Sequence, residues 1–280
     1  MKRIKIIFMI LMVPMVTISC SKGKNQQTME GDIPATASEA VPTVSSMEET
    51  NTTDKSTDPE GKNSTVYEIK EEVYEYEKIV IKYPQITGLS DQEKQEKMNE
   101  FIREDAMRDV EDSKTEKATL EVNYEVSFQG TDLLSIKFIG YSYYPGAAHP
   151  NHTFYSTNID VDQATRIKLK DVVDINDNFV AAFIAYSKYI GPLEADQGLE
   201  DLLEEEFHSI SREGLSDADR AGVYTPYYSY FTEESLGIGI EVPFVVGGYA
   251  LYEVPYTDIT DYMLPEKNIW KDFPGLEPAK

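Results

Sequence analysis

Cysteine occurs once in 280 residues, at Cys20. That excludes a disulfide framework and any metal cage built on several thiolates. Histidine occurs three times, and no Gly-x-Ser-x-Gly stretch is present, so the usual parts of nucleophilic catalysis are missing. Positive charge is scarce: 26 Lys and Arg stand against 50 Asp and Glu, a formal net charge of −24 carried almost wholly beyond residue 65. A field of that sign excludes nucleic acid, which needs cations to displace counterions from its phosphates. It also disfavours docking of the folded part on anionic lipid, and it speeds encounter with a basic protein. The apolar run from Ile6 to Val16 is shorter than the roughly 20 residues that span a bilayer, and there is no second one.

What the N-terminus does carry is an export signal. Lys2, Arg3 and Lys5 precede an apolar stretch from Ile6 to Val16, and small Ser19 stands before Cys20. Residues 1–19 read as a lipoprotein signal peptide and Cys20 as the site of lipidation, a palmitate-type anchor on the outer face of the cell membrane. Thr17 stands where the lipoprotein signal usually has Leu. Residues 20–65 comprise the lipidated Cys and a segment rich in Ser, Thr, Glu, Asn and Pro that cannot bury enough apolar surface to order itself. This segment reads as a disordered stalk, with a span of roughly 40 Å.

From Val66 the pattern is that of an α+β fold with antiparallel sheets and packed helices in two subdomains, 66–144 and 145–262, followed by a tail over 263–280. Val66–Tyr83 alternates charged and apolar residues as one half-buried strand ended by Pro84. Ser90-Asp-Gln-Glu93 starts a helix with an apolar stripe at Met98, Phe101, Ile102, Ala106, Met107 and Val110. Strands follow at 118–129, 133–144, 152–161 and 167–169, the first two joined by the hairpin signal Gly130-Thr-Asp132. Helical periodicity returns at Phe179, Ala182, Phe183 and Tyr186, and again at Leu199, Leu202, Leu203 and Phe207, with Gly191-Pro192 between the two pieces. Strands at 227–232, 236–241 and 249–255 close the pattern.

The most chemical-looking stretch is Tyr143-Tyr-Pro-Gly-Ala-Ala-His-Pro-Asn-His152. His149 and His152 would face one metal on a helix, but Pro150 and Pro145-Gly146 make the segment turn or extended, and no third ligand is identifiable. The residues therefore imply no metal and no cofactor, and leave a turn that aims His149 into a groove beside a plain structural loop. The acidic run Glu200–Glu206 reads as the solvated face of a helix rather than a catalytic carboxylate pair. Nineteen tyrosines suit amphipathic strands, and also a cleft that stacks glycan or protein partners.

Tyr144-Pro-Gly-Ala-Ala-His149, Tyr155-x-x-Asn-Ile-Asp160 and Leu169-x-Asp171-Val resemble a run of the RsiV-like extracellular domain family of Gram-positive envelopes. Tyr230-Phe-Thr-Glu-x-x-Leu236 and Val254-Pro-Tyr256 resemble that domain's closing stretch, so the likeness spans residue 66 to about 262, with Ala147 where the family has Gly. The family includes the ectodomain of a lysozyme-sensing anti-sigma factor and accessory modules of PdaC-type peptidoglycan deacetylases. Taken with the lipoprotein signal, the reading is a non-catalytic, lipid-anchored surface module, and the resemblance and the acidic charge together imply lysozyme or another cationic protein as its partner. The alternative is an accessory factor or enzyme that binds or acts on peptidoglycan. The ligand contacts it points to are Tyr143, Tyr144, His149, His152, Tyr249 and Tyr252.

Overall fold

The computed structural model describes residues 67–191, 200–220, 225–244 and 247–276. The signal segment, Cys20, the stalk, Pro192, Leu199 and Val245-Val246 lie outside them. The described chain is α+β, with a six-stranded sheet in the order β1-β2-β3-β4-β5-β6 and a four-stranded sheet in the order β7-β10-β9-β8. The first sheet comprises β1 (Glu68–Tyr76), β2 (Ile79–Thr87), β3 (Thr119–Gln129), β4 (Leu133–Tyr143), β5 (Asn151–Asp160) and β6 (Thr165–Arg166). The second comprises β7 (Lys188–Gly191), β8 (Tyr227–Phe231), β9 (Ser235–Glu241) and β10 (Tyr249–Pro255).

The alternation read as one strand is a hairpin. Glu77, with φ 51°, turns the chain between β1 and β2, and Glu68–Tyr76 pairs antiparallel with Ile79–Thr87. β1 is an edge strand whose exposed Lys70, Glu71, Glu72 and Glu75 oppose pairing with another chain. Pro84 does not end β2. The strand pairs with β3 only over Ile79–Ile81, and beyond that this edge meets no strand among the described residues. There the Asn99 side-chain amide takes the place of a strand, accepting from Ile86 N (2.7 Å) and donating to Ile86 O (2.9 Å). Pro84 sits two residues away on that same edge, where an N–H would have no partner.

β2 and β3 are parallel, so a crossover must join them, and α1 (Gln92–Ala106) and α2 (Val110–Glu116) supply it. Asp91 caps α1 by accepting from Lys94 N at 3.1 Å. Met98, Ile102 and Ala106, one turn apart, are fully buried against the sheet with Phe138, Tyr155 and Ile159. The pleat sends alternate residues of β4 and β5 to opposite faces: Leu134, Ile136, Phe138 and Tyr155 toward α1, and Ser135, Lys137, Phe154 and Asn158 toward the second sheet.

The two sheets meet through a small apolar cluster, three aromatic rings (Phe154, Tyr230 and Tyr249) with Leu251. A Cβ on Gly239 would come within 2.2 Å of the Phe154 ring, so only glycine lets the sheets approach this closely. A buried polar relay runs beside the cluster. Ser135 Oγ donates to Asn158 Oδ1 (2.7 Å) and accepts from Phe231 N (3.0 Å), while Asn158 Nδ2 donates to Ser229 O (2.8 Å).

The far face of the second sheet holds the larger core. Phe179 and Phe183 of α4 (Asp177–Tyr186), Phe207 of α5 (Glu200–His208) and Tyr252 of β10 pack there. The shorter helices α3 (Leu169–Val172) and α6 (Arg212–Ser216) add Leu169, Val172 and Leu215. On α5 Leu203 and Phe207 are buried and Leu202 is exposed.

Three expectations are corrected here. The strand expected over 167–169 is β6 at Thr165–Arg166, and Leu169 already begins α3. The sheet begun by β1–β4 continues through β5 and β6, across the boundary expected at 144/145, because hairpin pairing of β4 with β5 carries it on. The expected tail instead contains a 3-10 segment, Asn268–Asp272, that buries Ile269 and Trp270, with Phe273 buried just after it.

Candidate functional site

A cleft of about 190 Å³ opens between the sheets. One wall comes from the first sheet and the α1–α2 joint: Arg108, Asp109, Ser142, Tyr144 and Asn151–Phe154. The other comes from the second sheet: Thr225, Pro226, Tyr228, Gly239–Glu241, Gly248 and Tyr249. Gly248, with φ 86°, turns the chain against the β5 backbone, where a Cβ would stand 2.3 Å from His152 O. A side chain at that position would push the hairpin off the cleft rim.

Arg108 is the fixed charge of this site. Its guanidinium lies 3.7 Å from the Tyr155 ring centroid, its Nη1 donates to Tyr228 Oη (3.1 Å) and its Nε to Asp109 Oδ2 (3.0 Å). Burial works against the Arg108 charge, and Asp109 with the two tyrosines more than offsets it, so its pKa is raised. Partial burial raises the Glu241 carboxyl above its ordinary value, with Arg108 opposing the shift. The cleft thus presents one fixed cation, two carboxyls, tyrosine walls and the polar edges of Ser142, Asn151 and Thr153. That lining suits a small polar ligand with an apolar face.

The six sequence-derived contacts do not share one surface. Tyr144, His152 and Tyr249 line the cleft. Tyr143 and His149 lie outside its lining: Tyr143 is exposed with its hydroxyl donating to Ala147 O (3.2 Å), and exposed His149 lies 6.0 Å from Phe244. Tyr252 points the other way, into the core, with its ring 4.0 Å from that of Phe207. Tyr249 and Tyr252 are three residues apart on one strand, and an odd spacing puts them on opposite faces. Arg108, Asp109, Tyr228 and Glu241 escaped the sequence reading. Arg108 follows Met107 just past the end of a helix rich in charged residues, and no spacing rule singles it out.

Among the described residues no group of three or more His, Cys, Asp and Glu is placed to hold a metal ion. Beneath Arg108, the Tyr155 hydroxyl is buried without a hydrogen-bond partner among those residues. Burial raises its pKa, so it stays a neutral phenol. An unsatisfied buried hydroxyl costs about 1–3 kcal/mol. Tyr155→Phe is therefore expected to leave stability unchanged or raise it by about 1 kcal/mol in urea unfolding. A loss above that size would show that the hydroxyl has a partner in solution.

Residues 67–152 match the family model described as Deacetylase PdaC, which covers the first sheet up to the start of β5. The chain is also similar in structure to a member of the DUF3298 family from Bacteroides fragilis, at 14% identity and a TM-score of 0.46, covering 75% of this chain and 98% of that one. A DUF3298 family protein from Pseudomonas aeruginosa is similar at 12% identity and a TM-score of 0.42, covering 76% of this chain and 96% of that one. No curated protein matches.

Proposed function

We propose that this protein is a lipid-anchored binding module of the cell envelope. In this reading Cys20 carries the acyl anchor, residues 21–65 hold the domain off the membrane, and the inter-sheet cleft takes a small polar component of peptidoglycan. The observation that carries it is the convergence of Tyr144, His152 and Tyr249 with Arg108 and Glu241 on one concave site. Tyrosine faces stack against sugar rings, and the charged and hydroxyl groups beside them orient the ligand. The PdaC match over residues 67–152 supports an envelope role.

Co-sedimentation with purified peptidoglycan tests the reading. Tyr144→Ala is expected to weaken binding about tenfold or more, as loss of an aromatic anchor does, and His152→Ala to weaken it less. Tyr143→Ala and His149→Ala, outside the cleft, are expected to bind as the parent does. Equal binding by all four variants would sink the cleft as the site.

The net charge of −24 supports a second reading, capture of lysozyme or another cationic protein. The RsiV-like motifs around Tyr144–His149 support the same partner. Capture driven by charge weakens steeply between low and high ionic strength, whereas stacking on tyrosines barely changes. Lysozyme pull-down at two salt concentrations, run beside the sedimentation assay, separates the two.

A further inference from the structure

A second hollow, of about 170 Å³, shares no lining residue with the cleft and lies where the β1–β2 turn meets the end of α2. Three of its lining residues are Lys78, Lys114 and Lys117. That concentration of cations runs against a chain with nearly twice as many acids as bases. Lys114 is engaged: its Nζ donates to Glu111 at 2.7 Å and lies 5.1 Å from the Tyr76 ring centroid. Lys78 and Lys117 are exposed and form no ion pair or side-chain hydrogen bond among the described residues.

The same lining includes Ser113, which is fully buried. Its backbone is satisfied, with N donating to Asp109 O (3.1 Å) and O accepting from Ala118 N (2.9 Å). Its Oγ has no partner among the described residues. A buried hydroxyl without a partner is costly, and the helical alternative of bonding back to the preceding turn is not taken here. The hollow is also bordered by two residues held in the left-handed region without being glycine, Glu77 (φ 51°) and Lys117 (φ 53°). The turn and the helix end could have been made by glycine at lower backbone cost, yet both positions carry charged side chains facing one hollow.

We infer that this hollow is an anion site, with Lys78 and Lys117 neutralising a phosphate or phosphate ester and the Ser113 hydroxyl donating to it. A phosphate supplies the acceptor that Ser113 lacks and the counter-charge that the two lysines lack. Glu77, on the same lining, opposes the anion and sets its affinity low in the resting protein. The inference does not depend on what the inter-sheet cleft binds.

Titration of the full-length protein with inorganic phosphate, followed by amide chemical shifts, tests it. Saturable shifts are expected at Lys78 and over Ser113–Ala118. Ser113→Ala removes no internal hydrogen bond, so it should fold as the parent does and bind phosphate about threefold to tenfold more weakly. Lys78→Gln with Lys117→Gln should weaken binding at least tenfold, and Glu77→Gln should tighten it. Glycerol phosphate and phosphatidylglycerol vesicles distinguish the source. Binding of glycerol phosphate alone assigns a soluble or polymeric phosphate, and lysine-dependent vesicle binding assigns a lipid headgroup. No shift with any of the three probes, or shifts that Ser113→Ala and the lysine pair leave unchanged, would overturn the assignment.

Discussion

Asp272→Ala is expected to destabilise the domain by about 3 kcal/mol or more, although the residue lies in a segment whose sequence reads as a tail. Its carboxylate accepts three backbone N–H groups of the β3–β4 turn, from Thr131 (3.0 Å), Asp132 (2.7 Å) and Leu133 (2.8 Å). Asp272 is 8% exposed, so no water readily replaces it as an acceptor, and alanine would leave those donors unpaired. The bonds also tie the last described segment to the first sheet across some 140 residues, and neighbouring Trp270 and Phe273 are locked beside Tyr256 in the core. Urea unfolding monitored by Trp270 fluorescence reads the loss directly. Asp261→Ala, an exposed acid nearby, should change stability by less than about 0.5 kcal/mol. A small effect at Asp272 equal to that at Asp261 would show that the clamp contributes nothing.

How much of this was legible depended on whether a single period carried the signal. The α1 stripe was legible because Met98, Ile102 and Ala106 repeat at one turn, and β3 because apolar and polar residues alternate along it, while the turn signals at Gly130–Asp132 and Asp162–Thr165 placed β4 and β5. The β1–β2 turn was not, since Glu77-Lys78 carries none of the Gly, Asn or Pro that mark turns and interrupts the alternation only by setting two charged residues side by side. The last segment was misread because a 3-10 turn buries side chains three residues apart, a spacing too short-lived to register as a helix. At the site, Tyr144 and His152 were found through the unusual loop between them. Arg108 was not, because its role arises only when Tyr155 and Tyr228, from two different sheets, close on its guanidinium. Pairings across sheets leave no local trace. The Tyr249 and Tyr252 pair was the avoidable error, since period two already separates them.

A second carboxylate hub makes stability depend on pH. Asp219 accepts from Leu169 N (2.9 Å), Ser229 N (2.7 Å) and Ser229 Oγ (2.6 Å), joining the start of α3 to β8. Burial pushes its pKa from 3.8 up to about 6, with nearby Asp171 adding to the rise and the Ser229 and Leu169 donors opposing it. Between about pH 4 and 6 the folded state therefore keeps a proton that the unfolded chain has released. More protons on the folded state mean that stability falls as pH rises through this window, by about 3 kcal/mol in total, and then levels off. Asn suits the left-handed backbone at residue 219 (φ 60°) and cannot ionise, so Asp219→Asn should lose this slope while other acids keep theirs. The test is the difference in unfolding free energy between parent and variant at pH 4, 5, 6 and 7. Parallel curves would refute the shift. Ser229 O is also the acceptor for Asn158 of β5, so the residue that Asp219 holds is itself tied to the first sheet. Protonation of Asp219 acts beside the frame of the cleft, and the peptidoglycan binding proposed for that cleft should vary across the same pH window in a way that Asp219→Asn abolishes.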